Sequence, residues 1–122
     1  MKETAGKPEI TLYHNPRCSK SRAALALLQE RGITPRIVEY LKTPLDARAL
    51  GTLLGQLGMQ PAELLRTGEP VYKSDYAGKS LGAAGWIEAM ASHPILMERP
   101  IAVRGDKAVV GRPPEKVLEL LD

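Results

Sequence analysis

The spacing of hydrophobic and polar positions changes along the chain, and each change marks an element. Ile10-Thr11-Leu12-Tyr13 alternates apolar with semi-polar residues, the two-residue period of a strand. His14-Asn15-Pro16-Arg17 interrupts it, because the proline offers no N–H to a ladder and Asn and Pro both favour turns. From Ser19 to Arg31 the period becomes helical. Ala24, Leu27, Leu28 and Arg31 fall at i, i+3, i+4 and i+7, and Gly32 is placed to end the helix. Arg36-Ile37-Val38-Glu39-Tyr40-Leu41 reads as a second strand. Strand, loop, helix and strand with short connections predict a parallel pair joined by a right-handed crossover.

Thr43-Pro44-Leu45-Asp46 reads as a helix start, with Thr43 as cap, Pro44 in the first turn and Asp46 at the acidic position of a capping box. That helix is expected from about Pro44 to Leu57, stopped by Gly58. Pro61 opens a shorter one ending near Gly68, and a third covers about Leu81 to Ser92 before Pro94. Residues from about 44 to 96 therefore read as an all-helical insert. Ile101-Ala102-Val103 and Ala108-Val109-Val110 then flank Arg104-Gly105-Asp106-Lys107, a hairpin signal. Gly111-Arg112-Pro113-Pro114-Glu115 leads into a final helix through Leu121. The expected class is α/β, ordered β-α-β, insert between the second and third strands, then β-β-α. Without the insert, that is the element order of a thioredoxin-like domain.

Length narrows this to one domain: 122 residues leave little room for two independent cores. The reading is a polar arm over residues 1–9 and a single domain over 10–122. With no Phe, the core must come mostly from Leu, Ile, Val, Ala and Met, and Trp86 and Met97 are most simply core residues. A net charge of +3 permits an anionic partner but, with its cations dispersed, does not argue for nucleic acid. The first nine residues hold no apolar signal region, and no run of about 18 apolar residues occurs, so a cytoplasmic protein with no membrane partner is expected.

The chain has one cysteine, Cys18, which excludes an internal disulfide and a thiol-rich metal site. It follows a strand and a proline-containing loop, so its sulfur is expected at a helix N-terminus, where unpaired N–H groups point outward. The helix dipole favours an anion there by about 0.3–2 kcal/mol. A guanidinium about 4 Å away adds about 4 kcal/mol at an effective dielectric of 20, before any desolvation; Arg22 and Arg17 are the local candidates. Cys18 thus reads either as an activated nucleophile or as a small buried hydrophobe. Cys18-Ser19-Lys20-Ser21 has the C-x-x-S form of a redox motif, with a hydroxyl in place of a resolving thiol. A tyrosine-phosphatase loop needs C-x5-R, and Ala24 occupies that position, so an oxyanion must be held by arginines from elsewhere.

His14-Asn15-Pro16-Arg17-Cys18-Ser19-Lys20-Ser21-Arg22 resembles the H-N-P-x-C-x-x-S-R signature of the glutaredoxin-coupled ArsC family of arsenate reductases. The resemblance continues through Leu64-Leu65-Arg66 with Glu69-Pro70, His93-Pro94-Ile95-Leu96, Arg99-Pro100-Ile101 and Arg112-Pro113, covering nearly all of 10–121. Leu96-Met97-Glu98-Arg99-Pro100-Ile101 and Gly111-Arg112-Pro113-Pro114-Glu115 look closest to the small YfgD-like branch. The resemblance implies a nucleophilic Cys18 and an oxyanion pocket of Arg66, Arg99 and Arg112, whose planar guanidinium forks match a tetrahedral oxyanion. Pro100 resembles the family's cis-proline beside the active cysteine. His14 is similar to the histidine that assists cysteine ionisation, and Asn15, Ser21 and Arg22 support the loop and thiolate. Arsenate is the implied substrate, glutathione the co-substrate and glutaredoxin the protein partner, with no metal and no bound cofactor. The alternatives are a reductase for another oxyanion or a thiol substrate, a thioredoxin-fold scaffold, and a regulator similar to Spx, which binds the RNA polymerase α subunit. Regulators of that kind often switch through C-x-x-C, which Ser21 removes.

Overall fold

Alternate residues of a strand share a face, and in β1 (Ile10–His14) the buried ones are Ile10, Leu12 and His14. The computed structural model describes residues 9–121; the expected polar arm falls on 1–8, outside the described residues, apart from exposed Glu9. The chain forms two compact units, one with the residues up to Tyr40 and from Arg99 onward, the other with Leu41–Glu98.

In the first unit, β1 is followed by α1 (Ser19–Glu30) and β2 (Arg36–Glu39). The chain returns at β3 (Ile101–Arg104) and β4 (Lys107–Val110) and ends in a 3₁₀ helix, Pro114–Leu121. Strand order is β2-β1-β3-β4, with β1 parallel to β2 and antiparallel to β3, and β3 antiparallel to β4. Gly105 opens the two-residue β3–β4 turn at φ +62°, a left-handed conformation open to glycine without steric cost. The mixed sheet, with α1 and the terminal helix packed against it, is a thioredoxin-like fold.

The core explains the order of elements. Ser21, Ala24 and Leu28 form the buried stripe of α1 and meet the face carrying Ile10 and Leu12; Ala102, Val117 and Leu120 complete the cluster. Complete burial of a Leu such as Leu12 or Leu28 stabilises by about 1.5–3 kcal/mol. The predicted α1 face is corrected at two of its four positions: Leu27 is half-buried and Arg31 exposed, and Ser21 joins Ala24 and Leu28 in full burial. Arg104 Nη1 donates to the Leu120 carbonyl at 2.7 Å, tying the terminal helix to the end of β3. That helix is 3₁₀ throughout, and β2 ends at Glu39, two residues before its expected end at Leu41.

The second unit is helical: α2 (Ala47–Leu57), a 3₁₀ turn Pro61–Leu64, α3 (Pro70–Asp75), α4 (Ala83–Ser92) and a 3₁₀ turn Pro94–Leu96. Leu50, Leu53 and Leu54 of α2 are buried, as are Trp86, Ala89 and Met90 of α4, and the two helices pack together. The expected start at Pro44 is corrected to Ala47. Asp46 is the N-cap itself, its Oδ1 accepting from the Ala49 N–H at 2.8 Å, and Thr43 and Pro44 precede the helix. Gly58 ends α2 as expected, at φ +68°. The helix expected from Pro61 to near Gly68 stops at Leu64, and α3 follows as a separate element. Trp86 and Met97 are both buried. No helix among the described residues is long and apolar enough to cross a membrane.

Candidate active site

Pairing register gathers one edge of the first unit's sheet. His14 ends β1 opposite Glu39, the last residue of β2, and Tyr13 pairs with Ile101, the first of β3. Ile101 pairs in turn with Val110, the last of β4. The Asn15–Cys18 loop, Arg99-Pro100 and Gly111-Arg112 all continue from strand ends at this same edge. The segments that carry Cys18, Arg99 and Arg112 therefore leave the sheet from the same side, although Cys18 precedes Arg99 by 81 residues in the chain.

The loop before Cys18 is organised by Asn15. Its carbonyl accepts from the Cys18 N–H at 2.9 Å, closing a turn through Pro16 and Arg17, and its Oδ1 accepts from the Arg17 N–H at 3.0 Å. Its own N–H donates to Ser21 Oγ at 3.0 Å. Cys18 is the N-cap of α1 with extended backbone, and its side chain makes no capping hydrogen bond. Its carbonyl accepts from the Arg22 N–H at 3.0 Å, the first turn of the helix. The cysteine is reduced and 8% exposed. Arg22 Nη1 donates to the Pro16 carbonyl at 2.9 Å and so closes the loop from the helix side.

Ser21, expected to bond the Cys18 sulfur, instead has its hydrogen bonds with His14 and Asn15. Its Oγ lies 2.6 Å from His14 Nδ1, and both residues are buried. Burial pushes the His14 pKa below its ordinary value; the Glu39 carboxylate opposes this and the Arg22 charge assists it. Ser21 Oγ thus accepts from the Asn15 N–H and shares one further hydrogen bond with His14 Nδ1, whose direction follows the imidazole tautomer.

Arg99 and Arg112 are linked directly, Arg112 Nε donating to the Arg99 carbonyl at 2.9 Å. The Gly111 N–H donates to the Pro100 carbonyl at 2.8 Å. Gly111 is needed by space: a Cβ there would stand 2.9 Å from Pro100 Cγ and 3.0 Å from Val117 Cγ1. The Arg99-Pro100 peptide is cis, as the resemblance implies, and so is Arg112-Pro113, which was not expected. Arg99 Nε and Nη1 are buried, so the guanidinium is drawn inward rather than solvated as a surface charge.

Arg66 belongs to the second unit. It forms ion pairs with Glu69, through Nη1, and with Glu98, whose Oε1 is 3.5 Å from Nε. Glu69, Glu98 and Gly111 are residues the sequence reading did not single out for these roles. Glu39 is another, although its place opposite His14 follows once β1 and β2 are paired in parallel. Among the described residues, no group of three or more His, Cys, Asp or Glu is arranged to hold a metal ion.

Known proteins resemble this chain over nearly its whole length. The model of the ArsC family matches residues 13–120. The chain is 52% identical to the uncharacterized protein YfgD of Escherichia coli (strain K12) over 115 residues, 93% of this chain and 97% of that one. It is 45% identical over 116 residues to a protein of Neisseria meningitidis serogroup A named arsenate reductase, covering 93% and 99% of the two chains. A solved structure titled arsenate reductase from Vibrio cholerae superposes with a TM-score of 0.89 at 44% identity, covering 93% of this chain and 98% of that one. With the family model spanning nearly the whole chain and the signature loop built around Cys18, this chain belongs to the ArsC family.

Proposed function

We propose that this protein is an oxidoreductase that reduces arsenate to arsenite, with Cys18 as nucleophile and glutathione and glutaredoxin as the source of electrons. The observation that carries the reading is the convergence of the Cys18 helix N-terminus with Arg99 and Arg112 at one sheet edge. Relatives named arsenate reductase at 43–45% identity support the choice of oxyanion.

In the proposed reaction the Cys18 thiolate attacks arsenic(V), forming a sulfur–arsenic bond as an arsenate oxygen leaves as water. Arg99 and Arg112 balance the oxyanion charge through paired N–H donors, and the family resemblance implies Arg66 as a further oxyanion-binding arginine. The helix N-terminus adds its N–H groups on the sulfur side. Glutathione then displaces a second oxygen to form its own sulfur–arsenic bond. Glutaredoxin thiolate attacks the glutathione sulfur, and that bond's electron pair passes to arsenic, giving arsenic(III) and a glutaredoxin–glutathione disulfide. Hydrolysis of the remaining Cys18–arsenic bond releases arsenite and restores the thiol. Two outside thiols supply the two electrons.

His14, Ser21, Asn15 and Arg22 hold the loop that presents Cys18. The test is arsenate-dependent NADPH oxidation with glutathione, glutaredoxin and glutathione reductase, in the wild type and in Cys18→Ser. Turnover in the first and none in the second is expected. A wild-type rate equal to that of Cys18→Ser rejects the assignment.

A further inference from the structure

We propose that Glu69 is a carboxylate gate on Arg66: it occupies the guanidinium in the resting protein and competes with the oxyanion for it. The proposal rests on the reading of Arg66 as an oxyanion-binding arginine and adds the residue that sets how tightly the anion is held.

The contact is built by backbone geometry. The Glu69 N–H donates to the Arg66 carbonyl at 3.2 Å, a turn that places the two side chains three residues apart on one side. A second backbone device delivers Glu98. Leu65 and Met97 form an antiparallel bridge, flanked by Arg66 N–H to Leu96 carbonyl at 2.8 Å and Glu98 N–H to Leu64 carbonyl at 2.9 Å. Arg66 is thereby faced by two carboxylates, one at Nη1 and one at Nε.

Arg66 thus has a carboxylate beside two of its three nitrogens. An arginine so balanced attracts a multiply charged anion far less than a lone guanidinium does. The side chains are 22%, 16% and 30% exposed for Arg66, Glu69 and Glu98, so solvent screens the pair only in part. An oxyanion that takes the end-on pair of donors, Nη1 and Nη2, competes with Glu69 for Nη1 of Arg66. Glu69 is the carboxylate in closer contact. Its side chain does not cap α3, so it can leave the guanidinium without unwinding the helix it precedes. The expected consequence is selection: an anion that takes two donors of the fork can replace the carboxylate, and a weaker one cannot.

The experiment is calorimetric titration of arsenate into the full chain carrying Cys18→Ser, which stops the chemistry, combined with Glu69→Gln, Glu69→Asp or Arg66→Ala. Gln keeps the size and an acceptor but removes the charge; Asp keeps the charge. The expected result is arsenate binding at least about threefold tighter with Glu69→Gln, the range of a partly exposed charge pair. Glu69→Asp should show no such gain. Combining Glu69→Gln with Arg66→Ala should abolish it, since the gate acts through Arg66. Unchanged or weaker binding with Glu69→Gln, where Arg66→Ala does weaken binding, overturns the gate and leaves the arginine reading in place. Unchanged binding with Arg66→Ala overturns both. A gain that survives in Arg66→Ala marks a general field effect and also overturns the gate.

Discussion

Ser21 Oγ and His14 Nδ1 lie 2.6 Å apart at the polar end of the interface between α1 and β1. The same Oγ accepts the Asn15 N–H, so one hydroxyl joins the strand end, the loop and the helix that carries Cys18. Ser21→Ala would leave His14 Nδ1 and the Asn15 N–H without that partner in a buried setting. The expected loss of stability is about 1–3 kcal/mol, the penalty for an unsatisfied buried polar group. Urea unfolding measures it, and an unchanged midpoint and slope would show that the hydroxyl is dispensable.

Acid should destabilise the protein through His14. Its folded pKa lies below its ordinary value of 6.5, chiefly because burial disfavours the charged imidazolium. Above about 6.5 the ring is neutral folded or unfolded and has no effect on stability. As pH falls below that, the unfolded chain takes up the proton first, and stability declines until the folded ring also protonates. Unfolding free energy should therefore drop from pH 7.5 toward 5 more steeply in the wild type than in His14→Asn. Parallel pH profiles for the two would remove His14 as the cause.

One substitution should act with opposite signs at two glycines. In Gly111→Ala the new Cβ meets Pro100 and Val117 at 2.9 and 3.0 Å, both in the packed interior around the Arg99 and Arg112 segments. Overpacking of this kind costs about 1–3 kcal/mol. Gly51 is exposed in mid-α2, and a Cβ there meets nothing within 4 Å. Gly51→Ala should therefore stabilise by about 0.5–1 kcal/mol through helix propensity. Thermal unfolding of the two variants checks both signs.

What could be read from the sequence follows the range of the forces involved. β1, α1 and the β3–β4 hairpin are visible because alternation, helical spacing and the Gly105-Asp106 turn are local signals that the fold keeps. The start of α2 is ambiguous in the sequence because Thr43, Pro44 and Asp46 are all plausible cap signals. The choice rests on which side chain captures an amide, and Asp46 captures that of Ala49. α3 leaves no pattern in the sequence because six residues without a buried stripe have no period; Tyr72 reaches the ring of Trp86, 14 residues on, at 6.1 Å. At the site, Cys18 and its loop are legible from spacing, whereas the roles proposed for Arg99 and Arg112 rest on resemblance. Their shared sheet edge depends on register between strands some 90 residues apart in the chain. Ser21 lies close to Cys18 in sequence, yet helical geometry turns it inward to His14. Glu98 could not be assigned to Arg66, 32 residues earlier, without the Leu65–Met97 bridge.

Lysine should not replace arginine at the sheet edge. Arg112 Nε is committed to the Arg99 carbonyl, a bond that orients its fork, and a lysine ammonium keeps the charge but loses both that bond and the paired donors. Arg99→Lys and Arg112→Lys should each lose about 1–3 kcal/mol of transition-state stabilisation in kcat/KM for arsenate. Wild-type kcat/KM in both variants would rule out bidentate recognition at this edge.

The source of electrons gives the last prediction. The chain holds one cysteine, and Ser21 stands where a C-x-x-C motif has its second thiol. A hydroxyl forms no disulfide, and this one is bonded to His14 in the interior. In the proposed reaction Cys18 therefore cannot be released from its arsenic adduct by a thiol of the same chain, and each turnover is expected to need outside thiols for both electrons. Thioredoxin acts on protein disulfides, and this chain has none to offer it. With thioredoxin, thioredoxin reductase and NADPH as the only reductants, arsenite should not accumulate beyond background. Adding glutathione and glutaredoxin with glutathione reductase should restore steady production. The competing route is direct attack of thioredoxin on the Cys18–arsenic adduct, which needs no disulfide in this chain. Sustained arsenite release in the thioredoxin system alone would establish that route and displace glutathione from the mechanism, leaving Cys18 as the nucleophile.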